Sequence, residues 1–174
     1  FLCGSKEHPE NIGTISYCGK NVYVIENEDD VEEALEILKN SNINKLLIIS
    51  QTTYSLEKFN EIEKRVKSKL PKNIELILKN TICKATELRQ NETEKISKMV
   101  DYMIIIGGVN SSNTKKLYEI AKANCKKCIC VETAVQLDIA EIEKSNKVGI
   151  MAGASTPEES IQKILEKVEK IIEI

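Results

Sequence analysis

The sequence has 174 residues, of which 41% are apolar and 4% aromatic, and this suits one substantial aliphatic core or two small ones. Its 25 Lys and Arg residues are interspersed among 27 Asp and Glu residues, so no basic surface is available to attract nucleic acid or anionic lipid. The longest apolar runs, such as Leu46 to Ile49 and Tyr102 to Ile106, are far too short to cross a bilayer, which excludes a membrane partner and predicts a cytoplasmic protein.

Short β-branched and aliphatic runs predict strands, in chain order, at Phe1–Gly4, Val22–Glu26, Lys45–Ser50, Glu75–Lys79, Tyr102–Gly107, Lys127–Glu132 and Val148–Ala152. Stretches between and after them carry apolar residues at three- and four-residue spacing. This spacing predicts surface helices at Asp30–Leu38, Leu56–Leu70, Thr86–Met99, Asn113–Ala123 and Pro157–Ile172. Such an alternation is typical of βα units around a parallel sheet.

We therefore predict an α/β fold of two similar small domains, each a short, mainly parallel sheet flanked by helices. The first domain is expected at residues 1–80 and the second at 81–174, since two units fit the length better than one wide sheet. The chain opens inside an apolar strand without an initiator Met, so we expect the native protein to continue upstream of Phe1.

The loops that leave the predicted strands differ in composition from the loops that enter them. Entering loops such as 19–21 and 71–73 have ordinary turn residues. The leaving loops are rich in hydroxyl, amide and titratable side chains, and they comprise residues 6–10, 50–53, 81–86, 107–113 and 152–157. Because the carboxyl ends of parallel strands lie along one edge of a sheet, we expect the functional residues to share that edge.

His8 is the single histidine and is followed by Pro9 and Glu10. The tripeptide is compatible with an ordinary helix start, because Pro favours the first helical position and a carboxylate is stabilised near the helix N-terminus. Beside the hydroxyl-rich loops, however, His8 can donate a hydrogen bond to a phosphate or hydroxyl group, and Glu10 can carry a proton to a substrate. We favour this functional interpretation.

Two later loops predict an anion site. Residues 110–113 read Asn-Ser-Ser-Asn, four polar residues where a helix cap needs one. Thr156 begins a T-x-x-E capping box and is expected to be structural, which leaves Ser155 available for a ligand. The sequence contains neither a P-loop nor a G-x-G-x-x-G motif, so neutral side chains and helix N-termini would have to bind the phosphate.

The six cysteines do not form a secreted disulfide pattern, and we expect reduced thiols. Cys83 follows a strand and precedes a helix, where a thiolate is stabilised and can bind a soft metal or an iron–sulfur cluster. The Cys125-x-x-Cys128-x-Cys130 segment looks like a metal motif, but Cys128 and Cys130 alternate with Ile129 in an apolar strand, so burial is favoured there. Cys3 and Cys18 are interpreted as structural.

These loops, in this order, resemble the LytB family. The matching stretches are Glu7-His8-Pro9-Glu10 with Gly13-Thr14, Ser50-Gln51-Thr52-Thr53-Tyr54-Ser55, Ile82-Cys83-Lys84-Ala85-Thr86 with Arg89-Gln90, Asn110-Ser111-Ser112-Asn113, and Ala152-Gly153-Ala154-Ser155. Lys84 stands where the family commonly has an aromatic residue, and Glu87-Leu88 replaces a more polar pair. The resemblance covers nearly the whole chain but about two-thirds of the family's catalytic core.

The resemblance implies a function and a cofactor. LytB proteins reduce 4-hydroxy-3-methylbut-2-enyl diphosphate to isopentenyl and dimethylallyl diphosphate in the non-mevalonate isoprenoid pathway. Their 4Fe-4S cluster is held by three cysteines, one from each of three similar α/β domains. Cys83 matches the third ligand, so the chain would supply the second and third domains. Without the first domain, the fragment is expected to hold no stable cluster and to be inactive.

The resemblance also assigns roles to the residues in the loops. His8 would contact the substrate, Glu10 would deliver a proton, and Thr52 would orient the substrate hydroxyl and relay the proton. The diphosphate would be bound by a set of neutral side chains, Ser111, Ser112, Asn113 and Ser155. A ferredoxin- or flavodoxin-type protein would donate the electrons.

Two other functions are compatible with the residues. A phosphate- or sugar-phosphate-binding α/β module without redox chemistry would use the same hydroxyl loops, although it would leave Cys83 unexplained. A thiol-based metal or redox switch would depend instead on Cys125, Cys128 and Cys130.

Overall fold

A computed structural model describes residues 1–172, and residues 173 and 174 of the predicted second domain lie outside the described residues. This part of the chain contains seven β-strands and seven α-helices. Every strand pair in it is parallel. The chain divides into two compact units, one spanning Phe1–Cys83 and one beginning at Lys84. The predicted α/β class, with two parallel sheets flanked by helices, is confirmed.

The first unit has a four-stranded sheet in the order β2-β1-β3-β4. Its elements, in chain order, are β1 (Leu2–Cys3), α1 (Pro9–Cys18), β2 (Val24–Ile25), α2 (Asp29–Lys39), β3 (Lys45–Ser50), α3 (Leu56–Lys69) and β4 (Glu75–Leu78). In the parallel register Leu2 pairs with Ile49 and Cys3 with Ser50. The exits of β1 and β3 are therefore adjacent.

The core of the first unit lies between its sheet and the helices α2 and α3. Leu35 of α2 and Ile62 of α3 are buried against Ile48 of β3. Helix α3 begins where the Ser55 side chain accepts a hydrogen bond from the Lys58 amide. Its buried residues recur every three or four positions, which is the spacing that predicts this helix from the sequence.

The second unit has a three-stranded sheet in the order β6-β5-β7. Its elements are α4 (Lys84–Ser97), β5 (Tyr102–Ile106), α5 (Ser112–Asn124), β6 (Lys127–Val131), a 3₁₀ turn (Ala134–Gln136), α6 (Ile139–Glu143), β7 (Val148–Ala152) and α7 (Glu158–Ile172). Strand β5 is central, and all of its residues are buried. A five-residue run of large apolar side chains therefore has helices on both of its faces.

The two faces of β5 contribute to different clusters. Ile104 and Ile106 pack with Ile164 of α7 on one face. Met103 and Ile105 pack on the other face in a cluster that includes Leu117 and Ala121 of α5. This alternation is the ordinary period of a β-strand.

Helices α1 and α6 are not among the helices that the sequence predicts. The buried residue of α1 is Asn11, which is polar. The helix therefore has no buried apolar stripe, and apolar spacing does not predict it. Helix α6 is one short segment with Ile142 buried, below the length at which the period is recognisable. Within residues 1–172, no helix has both the length and the apolar character needed to cross a membrane.

Candidate functional site

His8 lies in the loop after β1 and is the N-cap of α1. Its backbone is extended, and its Nδ1 atom accepts a hydrogen bond from the Glu10 amide at 3.3 Å. Pro9 follows as the first helical residue. An imidazole that accepts at Nδ1 carries its proton on Nε2 when neutral, so the Nε2 atom is a hydrogen-bond donor.

Glu10 and Thr52 are joined by two hydrogen bonds, although 42 residues separate them in sequence. The Thr52 amide donates to Glu10 Oε1 at 2.8 Å, and the Thr52 hydroxyl donates to Glu10 Oε2, also at 2.8 Å. Thr52 is exposed and Glu10 is half-buried. Both carboxylate oxygens are thus held by one residue at the exit of β3, and the carboxylate lies at the molecular surface.

Cys83 lies next to this pair. Its amide donates to the Thr52 carbonyl at 2.9 Å. The residue is exposed and immediately precedes α4. The structure therefore brings His8, Glu10, Thr52 and Cys83 together at the carboxyl edge of the first unit's sheet.

In the second unit, Ser111 caps helix α5. Its hydroxyl accepts a hydrogen bond from the Thr114 amide at 3.3 Å. Ser112 is the first residue of the helix and is half-buried. Ser111 therefore caps the helix whether or not it also contacts a ligand.

Asn113 is buried in the first turn of α5, with 5% of its surface exposed. Neither its Oδ1 nor its Nδ2 has a hydrogen-bond partner among the described residues. Native proteins rarely leave a buried amide without partners, because each lost hydrogen bond costs about 1–3 kcal/mol. A helix N-terminus with an unpartnered donor beside it is suited to bind an oxyanion.

Ser155 is exposed in the loop after β7. This loop is tied to the exit of β5, because the Gly153 amide donates to the Ile106 carbonyl at 2.8 Å and the Thr156 hydroxyl donates to the same carbonyl at 2.9 Å. Ser155 therefore lies on the same edge of the second sheet as Ser111, Ser112 and Asn113.

The sequence does not single out the small residues that bring these two loops together. A Cβ atom at Gly107 would lie 2.5 Å from Thr114 Oγ1, and one at Gly153 would lie 2.3 Å from the same atom. Only glycine permits so close an approach. The Gly107-Gly108 pair is visible in the sequence, but its buried neighbour Thr114 becomes recognisable only in the folded unit.

Glu132 is a second residue of this edge that is not among the predicted site residues. Its Oε1 atom accepts from the Val109 amide at 2.8 Å and so orients the loop between β5 and α5. Its position directly after β6 is the one sequence feature that could have identified it.

Cys128 and Cys130 of the second unit are poor candidates for reactive thiols. Burial, reinforced by the neighbouring Cys125 and Cys130, raises the pKa of Cys128 to about 12. Burial also raises the pKa of Cys130, with a smaller contribution from Glu132. Both are half-buried against the cluster that contains Met103 and Ile105. Reactive thiolates need the opposite shift.

The described residues do not provide a complete ligand set for a metal cluster. An iron–sulfur cluster takes several thiolate ligands. Within residues 1–172, no group of three or more His, Cys, Asp or Glu side chains is close enough to hold a metal ion. Cys83 is exposed at a helix N-terminus and fits the role of one ligand, but this part of the chain by itself does not fit a cluster.

Comparison with known proteins gives consistent matches. The model of the LytB protein family matches residues 1–169. A 4-hydroxy-3-methylbut-2-enyl diphosphate reductase from Campylobacter fetus is 40% identical over 168 residues, covering 97% of this chain and 57% of that protein. The corresponding reductase from Thermoanaerobacter sp. is 36% identical over 168 residues, covering 97% of this chain and 55% of that protein.

A solved structure agrees with these sequence matches. The E-1-hydroxy-2-methyl-but-2-enyl-4-diphosphate reductase from Plasmodium falciparum superposes with a TM-score of 0.81 at 33% identity. The match covers 95% of this chain and 50% of that structure. The chain thus spans about half the length of the relatives it matches.

Proposed function

The chain belongs to the LytB family, and from this premise we propose that it works as part of a 4-hydroxy-3-methylbut-2-enyl diphosphate reductase. The predicted domains at residues 1–80 and 81–174, whose boundary lies close to the division between the two compact units, would be the middle and third α/β domains, and the first domain would lie upstream. The shared fold and the motifs at the carboxyl edges support this assignment. The enzyme would act in isoprenoid synthesis by the non-mevalonate pathway.

The proposed reaction is a reductive dehydroxylation. The substrate's C–O bond breaks, two electrons and two protons are consumed, and the products are water and either isopentenyl or dimethylallyl diphosphate. One proton leaves with the hydroxyl group as water, and the other forms the new C–H bond. The protein must therefore bind an allylic diphosphate, hold its hydroxyl group near a proton donor and accept electrons from outside.

The observation that carries the proposal is the double hydrogen bond between Thr52 and Glu10. The two contacts fix the direction of the carboxylate, so a proton that Glu10 takes up can be delivered to one place. We assign Glu10 as the proton donor to the leaving hydroxyl group and Thr52 as the residue that orients the hydroxyl and relays the proton. His8, with Nε2 as donor, would contact the substrate.

Neutral groups would bind the diphosphate. Asn113 supplies a buried amide without partners among the described residues, and the N-terminus of α5 supplies backbone N–H donors and a positive dipole end. Ser112 and Ser155 would add hydroxyl donors, and Ser111 would do so while it also caps the helix. This arrangement explains how a chain without a phosphate-binding glycine motif could bind such an anion.

An iron–sulfur cluster, when bound, would supply the electrons for the reduction. Cys83 would be one ligand of a 4Fe-4S cluster, and its other cysteine ligands would come from outside the described residues. We expect this chain by itself to hold no stable cluster. An external one-electron donor of the ferredoxin or flavodoxin type is part of the same proposal. A cytoplasmic location is also part of the proposal, because thiols such as that of Cys3 stay reduced there.

The proposal is tested by replacing Cys83. In the longest natural reading frame that contains this chain, Cys83→Ser is expected to lower both the iron content and the reductase turnover at least tenfold, because a serine hydroxyl is a poor ligand for iron–sulfur iron. Iron analysis, the visible absorption of the cluster and product formation with a chemical reductant provide the measurements. Cys18→Ser, which removes another exposed cysteine of the first unit, is the matched control.

The outcome separates the reductase from a phosphate-binding module. If Cys83→Ser and the parent protein bind an allylic diphosphate equally well and neither contains iron, the redox assignment is wrong and the binding module is favoured. The raised pKa values of Cys128 and Cys130 count against the thiol switch.

A further inference from the structure

A network of buried polar side chains lies beneath the Glu10–Thr52 pair. Asn11 follows Glu10 and Gln51 precedes Thr52, and Asn11 Nδ2 donates to Gln51 Oε1 at 3.1 Å. The Gln51 Oε1 atom also accepts from the Ser5 amide at 3.3 Å, while its Nε2 atom donates to Thr53 Oγ1 at 2.7 Å. Asn11 and Gln51 are buried, with exposures of 0% and 5%. The network thus connects the exits of β1 and β3 directly.

The orientation of Asn11 is determined by its surroundings. Its Nδ2 atom lies between two acceptors, Gln51 Oε1 and the Ser5 carbonyl, the latter at 2.7 Å. The amide must therefore present its nitrogen to both of them. Its Oδ1 atom is buried and has no hydrogen-bond donor among the described residues. A buried amide with one unsatisfied atom costs stability, so the helix gains no simple packing advantage from Asn11.

The approach of the two loops is unusually close. A Cβ atom at Gly4 would lie 2.4 Å from Asn11 Nδ2 and 2.9 Å from the Cβ atom of Gln51. Any side chain at this position would push the network apart. The glycine and the two amides therefore act together to fix the distance between the start of α1 and the end of β3.

We infer that Asn11 and Gln51 are positioning residues, which hold the Glu10 carboxylate in register with the amide and hydroxyl of Thr52. Each is the covalent neighbour of one member of the pair, so a shift of either amide displaces the carboxylate or its donors. Asn11 is also the buried residue of α1, so this contact helps to anchor the helix N-terminus that carries Glu10. The inference rests on the proposed function for its catalytic meaning, but its geometry can be tested independently.

The first test measures the Glu10–Thr52 contact by NMR on the 174-residue chain. In the parent background, Glu10→Gln is expected to shift the Thr52 amide proton, because it replaces the charged acceptor of that N–H group with a neutral amide. Asn11→Leu keeps the approximate volume but removes the donors, and it is expected to reduce the Glu10-dependent shift at least threefold. The amide of Ile48 in β3 serves as the control for the fold, since it lies in the buried core of the same unit.

A second variant keeps the test decisive if Asn11→Leu does not fold. Thr53→Val removes the acceptor of Gln51 Nε2 at a half-buried residue, and it is expected to reduce the same shift at least twofold. An unchanged Thr52 shift in a folded Asn11→Leu protein, or in Thr53→Val if the first variant is unfolded, overturns the inference. Neither measurement needs reductase activity, so failure of the proposed function would leave this result intact.

The catalytic consequence is measured in the complete reading frame. A positioning role predicts that Asn11→Leu lowers kcat at least tenfold while KM for the allylic diphosphate changes less than twofold, because substrate binding uses other residues. If kcat stays the same while the NMR contact is lost, the positioning role is refuted. If the parent protein has no reductase activity at all, it is the proposed function that fails.

Discussion

Asn113 has both polar side-chain atoms buried in the first turn of α5, with no hydrogen-bond partner among the described residues. Such a group lowers the stability of a protein unless a ligand satisfies it. Replacement by a leucine of similar volume removes the unsatisfied atoms. We therefore expect Asn113→Leu to raise the free energy of unfolding of the second unit by about 1 kcal/mol. The same change should raise KM for the diphosphate substrate at least tenfold.

Native-state hydrogen exchange of the β5 amides measures the stability change, because that strand is the buried centre of the second unit. Ser111→Ala is the matched variant and should lower stability by about 1 kcal/mol, since it removes the cap of α5. A leucine variant that is less stable than the parent, with unchanged KM, would mean that Asn113 serves packing and not the ligand.

The residues of the candidate site could be predicted from the sequence more readily than their contacts. His8, Glu10, Thr52 and Cys83 are recognisable because each lies in a polar loop after a predicted strand. The double hydrogen bond of Glu10 with Thr52 depends on β1 and β3 being neighbours in the sheet. Neighbouring strands are a property of the folded chain, and no local pattern encodes them. For the same reason, the hydrogen bond between Asn11 and Gln51 could not be predicted from the sequence.

At the scale of elements, alanine substitutions at two glycines are expected to change stability in opposite directions. Gly13 lies within α1, and a Cβ atom there would meet nothing within 4 Å. Gly13→Ala should therefore slow hydrogen exchange in α1, with a gain of up to about 1 kcal/mol from helix propensity.

Gly149 lies in β7, where a Cβ atom would be 2.7 Å from Met103 Sδ and 2.8 Å from Ile96 Cγ2. Gly149→Ala should destabilise the second unit by about 1–3 kcal/mol.

Hydrogen exchange in α1 reports on Gly13→Ala, and hydrogen exchange in β5 reports on Gly149→Ala, because the two positions lie in different units. Stabilisation by both substitutions would show that β7 is packed more loosely than described. Destabilisation by both would show that the surface of α1 beside Gly13 is covered.

Elements with a clear apolar periodicity were predictable, and helix α1 was not. The strands Lys45–Ser50 and Val148–Ala152 have the predicted bounds, and the other predicted strands agree to within a few residues. Helix α7 follows its apolar spacing, with Ile164 and Val168 buried. Helix α1 is held instead by the amide of Asn11 and the cap at His8, which leave no periodic signal. Hydrophobic patterning therefore misses α1, whose buried residue is an amide.

At the scale of the whole molecule, the predicted α/β class holds for both units. Each has its own parallel sheet and its own buried clusters. The division at Cys83 lies close to the predicted boundary at residue 80, in a stretch without a glycine- or proline-rich linker. Each unit also presents its polar loops at the carboxyl edge of its sheet.

The most direct test of the account is the turnover of Glu10→Gln in the complete reading frame. Glutamine preserves the shape of the side chain, and its amide oxygen can still accept from the Thr52 N–H group, but it cannot deliver a proton. We predict that kcat falls by about 10² or more, because general acid catalysis contributes that much, while KM for 4-hydroxy-3-methylbut-2-enyl diphosphate changes little. Glu36→Gln, on the exposed face of α2, should leave both constants unchanged. Parent-like turnover in Glu10→Gln would contradict the central claim.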